Sequence, residues 1–256
     1  MSPPDVPAFT GRPIPAATLI VVDRRETEPR ILMGRRRPDA VFLPDKFVFP
    51  GGRLEAGDRE VEVAGRLPDH DHQCLLRGVR DLDPERGMRA FAAAALRETF
   101  EETGYLVAMA GEGANVTARA SPIGVGPGGH ATDWATDWAS NWADVLSAGL
   151  KPDFSKLRFI ARAITPPGRP RRYDTRFFLA EATAVYSVLP RTDGELSEIG
   201  WFSLNRLAAY DLPSITHMVL RDLRRQMSGP SGEIPFYFWR SGAFRRAVLK
   251  GRGGAA

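Results

Sequence analysis

Cysteine occurs once in the 256 residues, at Cys74, which rules out an internal disulfide and fits a reducing compartment. Lysine is nearly as scarce. Lys46, Lys151, Lys156 and Lys250 are the whole set, so the formal net charge of +4 rests on arginine. Those arginines are scattered and no stacking-aromatic motif accompanies them, so a nucleic-acid surface is not expected. No run of about 18 apolar residues occurs, which leaves no helix to span a membrane. The start, Met1-Ser2-Pro3-Pro4-Asp5, lacks a basic region followed by an apolar one, and the end is not a Ser-Lys-Leu address. The expectation is a cytoplasmic protein. Internal repeats, coiled-coil heptads and low-complexity tracts are missing too. What remains, 43% apolar and 26% charged, is an ordinary globular composition. The length suits one domain over residues 1–256, with a loose tail from about 250 to 256.

The feature that stands out is a cluster of acids. Arg97-Glu98-Thr99-Phe100-Glu101-Glu102-Thr103-Gly104 closes a helical pattern. Residues three and four apart are neighbours on a helix, so Glu98, Glu101 and Glu102 share a face and repel by a few tenths of a kcal/mol per pair. Gly104 reads as the C′ residue, which puts these acids at the negative end of the helix dipole. Stability alone would favour Lys or Arg there. Either the acids are a solvated helix end, or a cation compensates them. Oxygen ligands at this density suit a hard divalent ion such as Mg²⁺.

A second motif lies upstream. Phe47-Val48-Phe49-Pro50-Gly51-Gly52-Arg53-Leu54-Glu55-Ala56-Gly57-Asp58 is a short apolar strand running into a glycine turn. Pro50 fixes φ, and two glycines let the backbone approach a ligand closely. Glycine turn, acid, then Arg-Glu-x-x-Glu-Glu-x-Gly resembles the Nudix box of the Nudix hydrolase superfamily. This copy departs from the box. Asp58 stands where Glu is usual, residues 59–96 replace a seven-residue spacer, Thr99 replaces an aliphatic residue, and Tyr105 holds the last aliphatic position. An insertion in a loop costs little closure entropy. The box reads as interrupted.

The interruption is similar to that of long-insert Nudix proteins related to animal peroxisomal and mitochondrial coenzyme A diphosphatases. Leu43 to Gly52 resembles their approach to the box. Ile164-Thr165-Pro166-Pro167 and Arg171-Arg172-Tyr173-Asp174-Thr175-Arg176-Phe177-Phe178 form a second similar stretch. The family's coenzyme A motif matches at Leu32 and Arg36 but not at Gly34, Arg37, Val41 or Asp45.

The resemblance implies an α/β fold, a Nudix-type α/β/α sandwich around a mixed sheet, with an insertion inside the box. It implies a hydrolase that cuts the pyrophosphate of a nucleoside diphosphate compound, with Mg²⁺ or Mn²⁺ as cofactor. The metal set would be Glu98, Glu102, assisting Glu101, and the carbonyl of Gly51 or Gly52. Arg97 would hold those ligands, with Asp58 orienting it through a shorter arm than usual. A base or last ligand from outside the box would be Glu195 or Glu198, Glu195 being favoured. Arg36, Arg171 and Arg172 are the phosphate-binding candidates, because guanidinium forks take phosphate bidentately. The partner is then a small nucleotide; coenzyme A, ADP-ribose and NADH all remain open. A nucleotide-binding module without turnover is the other class, though it should show eroded metal acids.

Local pattern places these residues. Ala16–Asp23 and Arg30–Met33 read as strands, with a turn between them. Asp83 and Pro84 read as N-cap and first helical residue of a helix to about 103. Met88, Ala92, Ala95, Thr99 and Thr103 form its apolar stripe. Strands are expected at 105–110, 157–164, 175–182 and 199–204, and a helix at 214–227 after Pro213. Residues 59–82 are expected as a surface excursion of loops and short helices, a lid or substrate wall. His70, His72 and Cys74 alternate within it without the paired spacing of a zinc module. Trp134, Trp138 and Trp142 make a helical stripe that either stacks a base or seals onto the core or a dimer partner, so a homodimer is one outcome.

Overall fold

A computed structural model describes residues 11–110, 149–187, 195–228 and 232–251. The tryptophan stripe lies outside them. Strand β1 (Ile14–Asp23) is the spine of the main sheet. Its alternation sends Ala17, Leu19 and Val21 to one face and Ile20 and Val22 to the other, all essentially buried. A strand covered on both sides needs this near-continuous apolar run. Each of the leucine, isoleucine and valine side chains contributes about 1.5–3 kcal/mol by leaving water.

Along one edge β1 pairs in parallel with β8 (Tyr173–Glu181) over its length. The other edge is shared. Its end pairs with β2 (Arg30–Arg36), and its start pairs with β4 (Gly51–Arg53). Between them β3 (Phe47–Val48) pairs back on β2. The chain therefore crosses from the β2 edge to the β1 edge at Phe49-Pro50, which sets the glycine turn against the central strand. The sheet continues through β7 (Arg158–Ile164) to the hairpin of β11 (Ile234–Arg240) and β12 (Ala243–Leu249), and β10 (Leu196–Ser203) closes its other side. A second sheet joins β5 (Tyr105–Ala110), β6 (Leu150–Pro152) and β9 (Val185–Ser187).

Helices cover both faces. Residues of α1 (Asp69–Leu75) and α2 (Pro84–Thr103) pack into the core that holds Leu19. Val219, Leu220 and Leu223 of α3 (Ser214–Ser228) pack into the core that holds Ile20. The α/β/α sandwich with a mixed sheet is thus as expected. The Asp83 side chain accepts from the Arg86 N–H at 3.1 Å, and Gly104, at φ 72°, caps the other end of α2 with its N–H on the Phe100 carbonyl.

Two expectations need correction and one element is added. β2 runs on to Arg36 because the backbones of β3 and β10 pair with it, whatever its side chains are. The β11–β12 hairpin had not been anticipated. Residues 59–82 are loops with a short helix and stay out of the cleft, as expected, but they are not a surface excursion or a lid: Val61, Leu67, Cys74 and Leu75 are buried in the α2-side core. Asp71, itself buried, accepts from the Phe159 N–H at 3.0 Å and from Arg158 Nε at 2.7 Å. Arg162 and Arg176 share Asp174 and donate to the carbonyls of Arg77 and Gly78. The insert is bolted to β7 and β8.

Candidate active site

The last two turns of α2 meet the glycine turn. Arg97, 5% exposed, donates to Asp58 from Nε (2.8 Å) and Nη2 (3.0 Å), and its Nη2 also reaches the Arg53 carbonyl at 2.9 Å. The remaining nitrogen, Nη1, is shared by Glu98 (3.1 Å) and Glu101 (2.9 Å). Asp58 is buried and also accepts from the Glu55 N–H at 2.7 Å. Aspartate's shorter arm therefore reaches, because the short helical turn Ala56–Arg59 brings it close. Arg97 ties helix, glycine-turn strand and Asp58 into one unit.

Glu102, 5% exposed, accepts from the Gly51 N–H at 2.8 Å. Burial, then the charge of Glu98, raise its carboxyl well above the ordinary range. Burial likewise pushes Glu98 up to about 7 despite Arg97 beside it. A Cβ added at Gly52 would fall inside the Glu98 carboxylate, and one at Gly51 would strike the Ala17 carbonyl and Thr18. Only glycine lets the turn lie this close.

These groups form a buried, undercompensated acidic pocket. One oxygen of Glu101, Oε1, is buried without a hydrogen-bond partner. Among the described residues no three His, Cys, Asp or Glu side chains already converge into a cage, since Glu98 and Glu101 lean on one arginine nitrogen. Carboxylate oxygens beside a closely approached backbone are nevertheless a donor set for a hard divalent cation. The site fits the ion.

No protein-family model matches the chain. The acyl-coenzyme A diphosphatase NUDT19 of Gallus gallus is 30% identical over 203 residues, covering 67% of this chain and 52% of the relative. That of Homo sapiens is 28% identical over 202 residues, covering 64% and 52%. The chain thus spans about half the length of the curated relatives it matches. Among solved structures, a Nudix hydrolase of Alicyclobacillus acidocaldarius is similar with a TM-score of 0.60 and 29% identity, covering 87% of this chain and 99% of that one. The chain belongs to the Nudix hydrolase superfamily.

The departures of its Nudix box now have physical accounts. The split leaves the two halves of the box in contact because the insert packs behind α2, and none of residues 59–82 lines the cleft beside the glutamates. Thr99 at an aliphatic position is buried, with its hydroxyl satisfied by the Ala95 carbonyl at 2.7 Å. Tyr105 packs edge-on against Trp201, ring centroids 6.0 Å apart.

A cleft of about 1250 Å³ opens from the Nudix glutamates. Gly51, Gly52, Glu98, Glu101 and Glu195 line it, as do Arg36 and Arg171. Arg172 is not among its walls, for its Nε holds the Thr165 carbonyl at 3.1 Å. Arg169 lines the cleft in its place. Glu195 is bound by Arg36 at 2.9 Å, whereas Glu198 is bound by Arg35 at 2.9 Å and does not line the cleft. Sequence reading missed the apolar wall. Phe42 stacks edge-on to Tyr173 at 5.2 Å, and Phe244 arrives from the β11–β12 hairpin. Nothing local marks Phe244 as a cleft residue, because the hairpin reaches the cleft through sheet order alone. Within the insert, His70 Nε2 lies 3.8 Å from buried Cys74 and no metal cluster forms.

Proposed function

We propose that the protein is a divalent-metal-dependent hydrolase that uses water to cut the pyrophosphate of a nucleoside diphosphate derivative, coenzyme A or an acyl-coenzyme A being the leading substrate. The observation that carries this reading is the pair of buried Glu102 and half-buried Glu98 pressed against the Gly51-Gly52 backbone, the first held by the Gly51 N–H and the second by Arg97. Glu98 and Glu102, assisted by Glu101 and a carbonyl of Gly51 or Gly52, would hold Mg²⁺ or Mn²⁺. Bound there, the ion supplies Lewis acidity and lowers the pKa of its water. The chain's own residues do the rest. Arg97 and Asp58 fix the carboxylates, a role whose loss in comparable sites weakens metal binding 10–100-fold. Glu195, on the rim of the same cleft, takes a proton from the attacking water. Arg36 and Arg171 bind phosphate oxygens in fork geometry. Arg172 supports this indirectly, by shaping the loop that carries Arg171.

The coenzyme A choice rests on Leu32 and Arg36 of the motif, on the name of the curated relatives, and on a cleft of about 1250 Å³, above the usual range for small-ligand pockets. A cytoplasmic setting and a small-molecule partner go with it. The test is to incubate the purified protein with coenzyme A, an acyl ester, ADP-ribose, NADH and a dinucleoside polyphosphate, each with Mg²⁺ or Mn²⁺, and to separate the products chromatographically. Cleavage within the pyrophosphate is expected. Binding of these compounds without turnover would make the protein a nucleotide-binding module instead.

A further inference from the structure

Arg36 and Glu195 form an uneven pair. Arg36 sits on β2, its side chain 19% exposed, whereas the Glu195 side chain is 73% exposed. One bond, Nη2 to Oε2 at 2.9 Å, joins them. Arg36 Nε is buried without a hydrogen-bond partner. A guanidinium with one buried donor unused and another on a solvated carboxylate is poised to accept a better acceptor.

The backbone fixes where both can go. β10 pairs antiparallel with β2, Leu196 opposite Arg36 and Ser197 opposite Arg35. A one-residue irregularity follows between Ser197 and Gly200, where Glu198 takes φ 48°. Such a bulge re-aims side chains near a site. Here it divides two successive arginines between two glutamates: Arg35 holds Glu198, which does not line the cleft, and Arg36 holds Glu195, which does. Glu195 shares that cleft with Glu98, Glu101 and the glycine turn. After burial and nearer neighbours, its charge is among those that raise the Glu98 and Glu102 carboxyls.

We propose that Arg36 is a positioning residue that holds Glu195 on the cleft wall, and that a phosphate arriving on Arg36 releases Glu195 toward Glu98 and Glu102. The exchange is one ion pair for another, with no covalent change. With Glu195 largely exposed, the pair is cheap to break, whereas a phosphate can take two guanidinium donors at once, in the stronger charge-assisted geometry. Glu195 would then add a carboxylate beside the metal only when a phosphate is bound. The exchange rests on the metal site proposed above, and its kinetic arm rests on the hydrolase reading as well.

The test is a double-mutant cycle read first by Mn²⁺ binding, in the parent, Arg36→Ala, Glu195→Gln and the double variant, with equal thermal midpoints checking the fold. Freeing Glu195 by Arg36→Ala is expected to tighten Mn²⁺ binding about fivefold, and the gain should fall below twofold when Glu195→Gln is already present. An equal gain in both backgrounds, which plain loss of repulsion would give, or no gain at all, overturns the proposal. The kinetic arm uses whichever pyrophosphate compound the parent hydrolyses. Arg36→Ala should raise KM at least tenfold, and Glu195→Gln should lower kcat about a hundredfold with KM within threefold. A parent that hydrolyses nothing on the panel defeats the hydrolase reading, while the Mn²⁺ cycle still decides the Arg36–Glu195 exchange.

Discussion

Arg97 and Asp58, 39 positions apart in the chain, are joined by two parallel hydrogen bonds of 2.8 and 3.0 Å with both side chains out of water. That pair closes the gap the insert opens in the box. Removing one member leaves the other charge buried, which costs about 3–5 kcal/mol. Asp58→Asn should therefore lower unfolding free energy by roughly that amount in urea titration, and lower activity further than stability explains. A variant as stable as the parent would show that Arg97 is held by its other contacts.

Glu102→Gln should abolish most hydrolysis, on the order of a hundredfold or more in kcat, while leaving metal-free stability unchanged or slightly improved. It removes one charge from a mutually repelling, buried set. Mn²⁺ should raise the thermal midpoint of the parent and leave that of the variant nearly fixed, as linkage requires when the ion binds only the folded parent. Activity within twofold of the parent would sink the metal assignment.

Gly52→Ala tests the close approach of the turn. The new methyl must displace the Glu98 carboxylate, so activity should fall at least tenfold although the backbone tolerates alanine. Circular dichroism should be unchanged. Normal turnover would mean that Glu98 has another workable position.

Asp174 carries a pH signature. Burial alone would raise its carboxyl, but Arg162 and Arg176 hold it below the usual 3.8. A lowered acid contributes stability that is complete above the unfolded value and is lost as pH falls through the folded one. Asp174→Asn should thus cost several kcal/mol at pH 7, on the order expected for breaking a buried pair. The gap between parent and variant should narrow as pH falls through the folded-state value, which lies below 3.8. Because Arg162 and Arg176 also clasp the insert, proteolysis of the variant should begin within residues 59–82.

Arg171→Ala tests the substrate. The parent should prefer coenzyme A to its 3′-dephospho form, since the extra phosphate needs a cation beyond those serving the metal, and Arg171 should supply it. The variant should lose most of that preference through KM, with dephospho-coenzyme A little affected. A parent indifferent to the 3′-phosphate would redirect the substrate reading to ADP-ribose or another diphosphate.

The sequence by itself determined the elements whose signals are local. Asp83, Pro84 and Gly104 bounded α2, because capping is chemistry between neighbours. The spacing of Glu98, Glu101 and Glu102 put the acids on one face, because helix geometry is periodic. The short apolar run of β1 marked a strand, and the resemblance supplied the fold around it. The tertiary structure decided everything that depended on distant pairing. It brought Asp58 to Arg97, sent the insert into the core, and turned Arg172 to the Thr165 carbonyl. It also carried Phe244 to the cleft and gave Glu195 to Arg36. None of these leaves a trace in local pattern, since an arginine reads the same whether its fork meets phosphate, carboxylate or a carbonyl. Which partner it takes is settled by strand order and by a single bulge in β10, and those are set by the packing of the whole sheet.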